Sequence, residues 1–326
     1  MNLPLILENL KDSIMKFNAL PNNWRINKRK AKIPVWFFVV CLLLLILVAP
    51  IIPAALSTQV SQIPFAQCRR VQSGDPRSPT NPDIPYIISP RKTLLLTDKP
   101  KLRWNQVLGV KIYDVSIQKG DSVLWQTKAN TNQIVYPGEP RLKPGVEYLL
   151  IVKADNGRFS TDEKPNARGF RLLSKEDTQI IKTAITQLNN QKVPDKVKAL
   201  QSAFLYIGAD LKSEAIETLE ALTTGDMKET SVYRKLGDLY WQSGVNVLAE
   251  THYLKAHKQA ITHKDIVQQA QIAETLGNLY VALDDQKASI DWLTQARDSY
   301  KTLGNTQRVQ ELNEQIELLK TDQSPA

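Results

Sequence analysis

The sequence has few of the residues from which most metal sites and disulfide frameworks are built. It has two cysteines, Cys41 and Cys68, and three histidines in 326 residues. Neither cysteine lies in a segment predicted to fold, so no intrachain disulfide framework is implied. His252, His257 and His263 are five and six residues apart, and these spacings put no neighbouring pair on one face of a helix. No bound metal ion is therefore expected, and no metal ligand is assigned.

Motifs of nucleotide binding and hydrolysis are also missing. There is no phosphate loop, no G-x-G-x-x-G, no H-E-x-x-H and no G-x-S-x-G. The motif S-x-x-K occurs at Ser13–Lys16 and at Ser116–Lys119, but the second lies along a predicted strand, where the two side chains would face opposite ways. These absences predict that the chain is not an enzyme and has no catalytic residue and no cofactor.

Aromatic residues make up only 7% of the chain, but an apolar content of 42% is ordinary and excludes general disorder. The length predicts two folded domains with connecting segments. Charge is unevenly distributed: residues 1–33 have seven basic and two acidic residues, and 57–174 have eighteen and ten. Residues 175–326 have seventeen basic and twenty-one acidic residues. The net charge of +9 therefore comes from the first two segments.

A long uncharged run follows a cluster of cations at 25–32. Its apolar part, 35–56, has 22 residues, enough at ~1.5 Å per residue to cross a hydrocarbon layer of ~30 Å. We therefore expect a transmembrane helix over 34–56, a cytoplasmic segment over 1–33, and the remainder in the periplasm of a bacterial cell. Residues 2–20 have an apolar helical face, which either lies on the inner membrane surface or is only locally helical.

Pro50 and Pro53 leave a second interpretation open, in which the run is a cleaved signal peptide ending near Ala55-Leu56-Ser57. Both interpretations export residues 57–326. Residues 57–84 are rich in Pro, Ser and Gln and predict a semi-extended linker.

From 85 to 173 the apolar period is two, which predicts short strands separated by turns such as Asn156-Gly157. Leu142-x-Pro144-Gly145-x-x-Tyr148 resembles a motif of fibronectin type III domains. The resemblance implies an immunoglobulin-like β-sandwich in which the Tyr148 side chain ties its strand to the preceding loop. Trp104 and Tyr148 are expected in the core.

After a connecting helix over 174–194, one pattern of small and large residues recurs. Its central copy has Leu236, Gly237 and Tyr240, followed by Ala249 and Tyr253. The small residues allow two helices to pack closely, and the large ones fill the space between them. An earlier copy with Ala203 lies 34 residues before Gly237, and a later copy with Gly277 lies 40 after it.

This pattern and the 34-residue period resemble the tetratricopeptide repeat. The resemblance implies three helix–turn–helix units over 196–303 (196–229, 230–263 and 270–303), a capping helix over 304–320 and a disordered tail over 321–326. The six extra residues before the third copy predict a longer second helix in unit two and a longer first helix in unit three.

In tetratricopeptide arrays, four positions of each first helix line a concave groove. Transferred by position, the groove comprises Leu200, Phe204 and Ile207, then Ser231, Arg234, Asp238 and Trp241, then Gln271, Glu274, Asn278 and Val281. The family's clamp for a C-terminal carboxylate is not expected, because Leu200 and Phe204 replace its Lys and Asn. Trp241 is the favoured contact residue, although it could instead pack against the first helix of the third unit.

The predicted fold class is thus multidomain: a single N-terminal transmembrane helix, an all-β immunoglobulin-like sandwich and an all-α tetratricopeptide superhelix. The favoured function is a membrane-anchored extracytoplasmic adaptor that binds a peptide or protein partner in the groove. The alternative is an envelope-binding protein whose basic sandwich holds cell-wall polymer. An exported location makes a nucleic-acid partner unexpected.

Overall fold

Alternating side chains explain why the first folded part forms strands. In the computed structural model, Tyr113, Val115 and Ile117 are buried, while Asp114 is exposed between them. Period-two burial is what a strand with one covered face requires. The structure describes residues 81–163, 169–224 and 229–321, which all fall within one compact unit of the chain, Ala54–Ala326.

Eight strands lie in the described part of this β domain, in two sheets. They are β1 Ile87–Ser89, β2 Thr93–Leu95, β3 Lys101–Trp104, β4 Tyr113–Lys119, β5 Ser122–Ala129, β6 Gln133–Val135, β7 Glu147–Ala154 and β8 Phe170–Leu172. One sheet has the order β1-β3-β6 and the other β2-β8-β7-β4-β5. Residues of both sheets share one apolar core.

The aromatic residues predicted for the core are found there. Trp104 and Tyr148 are 0% and 2% exposed. The Tyr148 hydroxyl accepts a hydrogen bond from the Lys143 amide at 2.8 Å, which ties β7 to the preceding loop as the resemblance implied. Residues 81–84, predicted as the end of the linker, contact the domain, since Ile84 is 3% exposed.

The predicted fold class is wrong as stated. Where an immunoglobulin-like sandwich was expected, the five-stranded sheet is mixed, because β2 pairs in parallel with β8 (Thr93 with Phe170 through Leu95 with Leu172), and the three-stranded sheet is antiparallel. None of the helices described within 81–321 is long and apolar enough to span a membrane. The membrane segment predicted over 34–56, the segment 1–33 and tail residues 322–326 lie outside the described residues.

Eight α-helices follow in the described part of the chain. They are α1 Lys175–Asn189, α2 Asp195–Gly208, α3 Lys212–Thr224, α4 Thr230–Ser243, α5 Asn246–Thr262, α6 Ile266–Ala282, α7 Gln286–Thr302 and α8 Thr306–Thr321. Helices α2/α3, α4/α5 and α6/α7 form three successive hairpins. The predicted lengthening is confirmed, because α5 has 17 residues against 13 in α3, and α6 has 17 against 14 in α4.

Two glycines allow the helices of a hairpin to approach closely. A Cβ on Gly237 would lie 2.5 Å from Cε1 of Tyr253, and one on Gly277 would lie 2.6 Å from Cδ2 of Leu293. Both large side chains are fully buried, so neither has room to move away. The hairpins α4/α5 and α6/α7 therefore depend on the missing side chain at these positions.

The β domain contacts the helices along a seam between β2 and the start of α3. The Leu94 amide donates to the Asp210 carbonyl at 3.0 Å, and the Lys212 amide donates to Oγ1 of Thr93 at 2.9 Å. The Leu96 amide donates to Oε1 of Glu214 at 2.6 Å. Because these bonds use backbone groups of both elements, the strand edge and the helix start are held in register.

We expect Gly237→Ala to destabilise the chain by about 1–3 kcal/mol, because overpacking against Tyr253 outweighs the better helix propensity of alanine. Chemical denaturation monitored by circular dichroism measures the change. Gly208→Ala is the matched control, since a Cβ there meets nothing within 4 Å. That variant should be neutral or slightly stabilised; an equal loss in both variants would contradict the close crossing.

Candidate protein-binding groove

The first helices of successive hairpins are joined by polar side chains. Arg234 Nη1 on α4 donates to Oε1 of Gln268 at 3.1 Å and to Oε1 of Gln271 at 2.5 Å, both on α6. The partners are 34 and 37 residues apart. Equivalent positions of α4 and α6 are 40 residues apart, so Gln268 and Gln271 lie about two turns and one turn before the equivalent of Arg234.

The same separations recur between α6 and α8. Glu274 forms an ion pair with Arg308, 34 residues on, and Arg308 Nε donates to its Oε2 at 3.2 Å. Asn278 Oδ1 accepts from Nε2 of Gln315, 37 residues on, at 3.0 Å. The equivalent faces of α4, α6 and α8 are therefore adjacent, and we call this surface the ladder face.

Tyrosine hydroxyls of the second helices donate hydrogen bonds to carboxylates of the ladder face. Tyr300 donates to Oε2 of Glu274 at 3.0 Å, and burial, followed by the Glu274 charge, raises the pKa of Tyr300 to about 12. Tyr253 donates to Oδ1 of Asp238 at 2.9 Å, and burial raises its pKa as well. Asp238 also accepts from Lys235 Nζ at 2.8 Å. Both tyrosines remain donors at neutral pH, so these carboxylates are already hydrogen-bonded within the array.

Three large apolar side chains remain accessible near these polar pairs. Trp241 is half-buried, with its ring edge-on to Tyr253 at 6.4 Å between centroids and 87° between planes. Val281 is 43% exposed and Leu318 is 68% exposed. Val281 follows Asn278 by three residues and Leu318 follows Gln315 by three, so both lie about one turn beyond that hydrogen bond.

Six of the eight predicted contact residues thus belong to the helices of the ladder face: Arg234, Asp238, Trp241, Glu274, Asn278 and Val281. Leu200 is buried at 9% exposure and Phe204 is half-buried, both on α2. No ring contact or hydrogen bond within the described ranges joins either side chain to the ladder face. The ring contact of Trp241 is with Tyr253 of α5, and the role of Trp241 as a contact residue stays a prediction.

Sequence reasoning assigned no groove residue to α8. Arg308, Gln315 and Leu318 complete the ladder face, and the 34- and 37-residue spacings carried forward from Glu274, Asn278 and Val281 would have found them. Val267 was also missed. It is 42% exposed and lies fourteen residues, about four turns, before Val281.

A buried arginine of the β domain holds the end of α4. The Arg91 side chain has no exposed surface, and Nε and Nη2 donate to the carbonyls of Ser243 and Gly244, each at 2.7 Å. Its Nη1 donates to the Ile87 carbonyl and to Glu163, each at 2.9 Å. A cation at a helix C-terminus binds carbonyls that lack helical partners. Arg91 therefore fixes the helix that contributes Arg234 and Trp241.

The histidines show no arrangement suited to a metal ion. His252 stacks on Tyr240, with 5.4 Å between ring centroids, and burial lowers its pKa to about 4. His257 meets the Trp292 ring edge-on at 5.1 Å. Within the described ranges, no group of three or more His, Cys, Asp or Glu residues is placed to hold a metal.

The fold and the ladder face define a class: an array of three helical hairpins and a last helix, preceded by a β domain to which it is joined. No protein-family model matches the sequence, and no curated protein matches it either.

Solved structures show partial likeness. BtubC (BKLC) from P. vanneervenii has 13% identity and a TM-score of 0.31, covering 47% of this chain and 76% of that one. Two structures of MamA have 14% and 17% identity, each with a TM-score of 0.31. They cover 45% of this chain and 93% and 82% of theirs. Likenesses of this degree support no conclusion about function.

We expect Arg91→Ala to lower the free energy of unfolding by about 3–5 kcal/mol, because it removes a buried, hydrogen-bonded charge from between two elements. Urea denaturation measures the loss. Arg141→Ala is the control, since the Arg141 side chain is 80% exposed and its ion pair with Glu139 spans 3.5 Å. The control should change stability by less than about 0.5 kcal/mol; a similar change in both variants would contradict the role of Arg91.

Proposed function

We propose that this chain is a non-catalytic adaptor that binds a partner polypeptide along the ladder face. The observation that carries the proposal is that α4, α6 and α8 present one adjacent set of faces whose polar groups are already paired. Trp241, Val281 and Leu318 are left accessible beside them. A helical array that leaves one continuous face open is suited to holding another chain.

The pairing of polar residues refines the kind of partner. Because Glu274 and Asn278 are engaged with Arg308 and Gln315, binding through them would first break existing contacts. The accessible apolar side chains have no such cost, so they are the anchors on which affinity depends. An amphipathic helix or an extended segment with apolar side chains at intervals fits this surface.

The residues that we propose as contacts differ from the eight contact residues predicted from the sequence. Leu318 and Val267 join Trp241 and Val281 as contact residues, whereas Arg234 and Glu274 serve mainly to align neighbouring helices. Location outside the cytoplasm and the absence of catalysis stay predictions from the sequence.

Site-specific photo-crosslinking in cells tests the proposal. A photoreactive amino acid at Val281 should form an adduct with one polypeptide, while the same group at Val123 in β5, 52% exposed, should not. Trp241→Ala should reduce the adduct strongly, because an aromatic anchor removed from an interface costs about 2 kcal/mol or more, roughly thirtyfold in affinity. Helical content, measured by circular dichroism, should be unchanged.

Two results would count against the proposal. One is an adduct pattern at position 281 that matches the pattern at 123. The other is an adduct at 281 that persists when Trp241→Ala and Leu318→Asp are combined in a chain of unchanged helicity.

A further inference from the structure

The ladder face contains an arginine that is not paired with a carboxylate. Arg234 is half-buried, and its Nη1 donates to neutral side-chain oxygens of Gln268 and Gln271. Among the described residues, its Nε and Nη2 have no hydrogen-bond partner and its guanidinium has no ion pair. Two amide oxygens therefore hold the guanidinium in place without neutralising its charge.

The carboxylates of α4 and α6 on this surface are paired with other cations. Asp238 pairs with Lys235 at 2.8 Å, and Glu274 pairs with Arg308 on α8. Since each of these carboxylates has its own cation, the charge of Arg234 stays available to a group from outside the chain.

The opposite end of the ladder face has the opposite charge. On α8, Arg308 is shared between Glu274 and Glu311, so this group has one positive and two negative charges. Glu314 adds a further negative charge. It is exposed, accepts from Nε2 of Gln310 at 3.3 Å, and has no ion pair in the part of the chain that the structure describes. The ladder face is therefore cationic at α4 and anionic at α8.

Both unpaired charges lie on the same side of the apolar row formed by Trp241, Val281 and Leu318. Arg234 is seven residues, about two helical turns, before Trp241, and Glu314 is four residues, about one turn, before Leu318. Residues with these spacings share a helix face. A segment that lies along the apolar row can therefore place one polar side chain near each end.

We propose that the ladder face binds its partner in one direction, with an acidic side chain of the partner on Arg234 and a basic side chain on Glu314. The inference rests on the proposed function, since it concerns the partner of the same surface. The partner is a polypeptide segment whose apolar anchors are flanked by an acidic residue at one end and a basic residue at the other. A reversed segment would bring like charges together at both ends and is disfavoured.

Arg234 contributes more to this direction than Glu314. Its guanidinium is already held by two glutamines, and Nε and Nη2 lie on one edge of the group, where they can donate to both oxygens of one carboxylate. Glu314 is exposed, and an exposed ion pair is weak and is screened by salt. The direction of binding therefore depends mainly on Arg234.

Crosslinking from both ends of the ladder face tests the direction in the full chain in cells. Benzoylphenylalanine replaces Ser231, an exposed residue about one turn before Arg234, or Gln307, an exposed residue about two turns before Glu314. Mass spectrometry maps each adduct on the polypeptide that is captured from position 281. The adduct from 231 should lie beside an acidic residue and the adduct from 307 beside a basic one, always in the same order along the partner.

A binding measurement tests the role of the Arg234 charge. The partner segment mapped by these adducts is synthesised as a peptide, and its affinity for the full chain is measured by fluorescence anisotropy at low and high salt. Arg234→Gln should weaken binding by about tenfold, because a hydrogen-bonded ion pair is lost. It should also flatten the salt dependence, which a merely structural role of Arg234 would leave unchanged.

Two further variants complete this measurement. Arg234→Lys should restore the salt dependence and part of the affinity, because it keeps the charge but not the two-pronged geometry. Lys287→Gln is the matched control, since it removes a positive charge from an exposed position on α7, away from the ladder face. It should bind the peptide as the unaltered chain does.

Two results would overturn the direction and leave the proposed function intact. One is that the adducts from 231 and 307 occur in both orders along the partner. The other is that Arg234→Gln binds the peptide as tightly as Lys287→Gln at every salt concentration. The absence of a specific adduct at position 281 would overturn both the direction and the proposed function.

Discussion

The close crossing of paired helices at Gly237 and Gly277 is the constraint on which the array depends. A side chain at either position would lie within about 2.6 Å of buried atoms of Tyr253 or Leu293. Close packing places the Tyr253 hydroxyl on Asp238 of its own hairpin, whereas Leu293 packs on Gly277 and another tyrosine of that hairpin, Tyr300, donates to Glu274. The close crossing at Gly237 therefore helps to set the position of Asp238 on the ladder face.

The β domain is more than a spacer placed before the helices. Its strand edge is hydrogen-bonded to residues at and just before the start of α3, and its buried Arg91 binds the end of α4. The two contacts differ chemically: one joins backbone groups and short polar side chains at the start of a helix, and the other is a buried cation fully supplied with acceptors.

On the ladder face, several residues predicted to contact a partner instead hold neighbouring helices together. Positional transfer placed Arg234, Glu274 and Asn278 in a groove as possible contacts for a partner. In the structure they bind α6 and α8, so their polar atoms are used between helices. The apolar residues at the same surface, Trp241 and Val281, keep accessible area, and Leu318 adds to them from a helix that was expected only to cap the array.

The sequence by itself determined the hairpins and the core of the β domain, because period, small residues and apolar alternation are local properties that decide which face is buried. It therefore placed Gly237, Trp104 and Tyr148 correctly. Only the tertiary structure decided that β2 runs parallel to β8, that Arg91 reaches α4 and that the Leu96 amide meets Glu214 in the seam. Those contacts join residues more than 70 positions apart, and no local pattern encodes which distant backbone group will meet a given side chain.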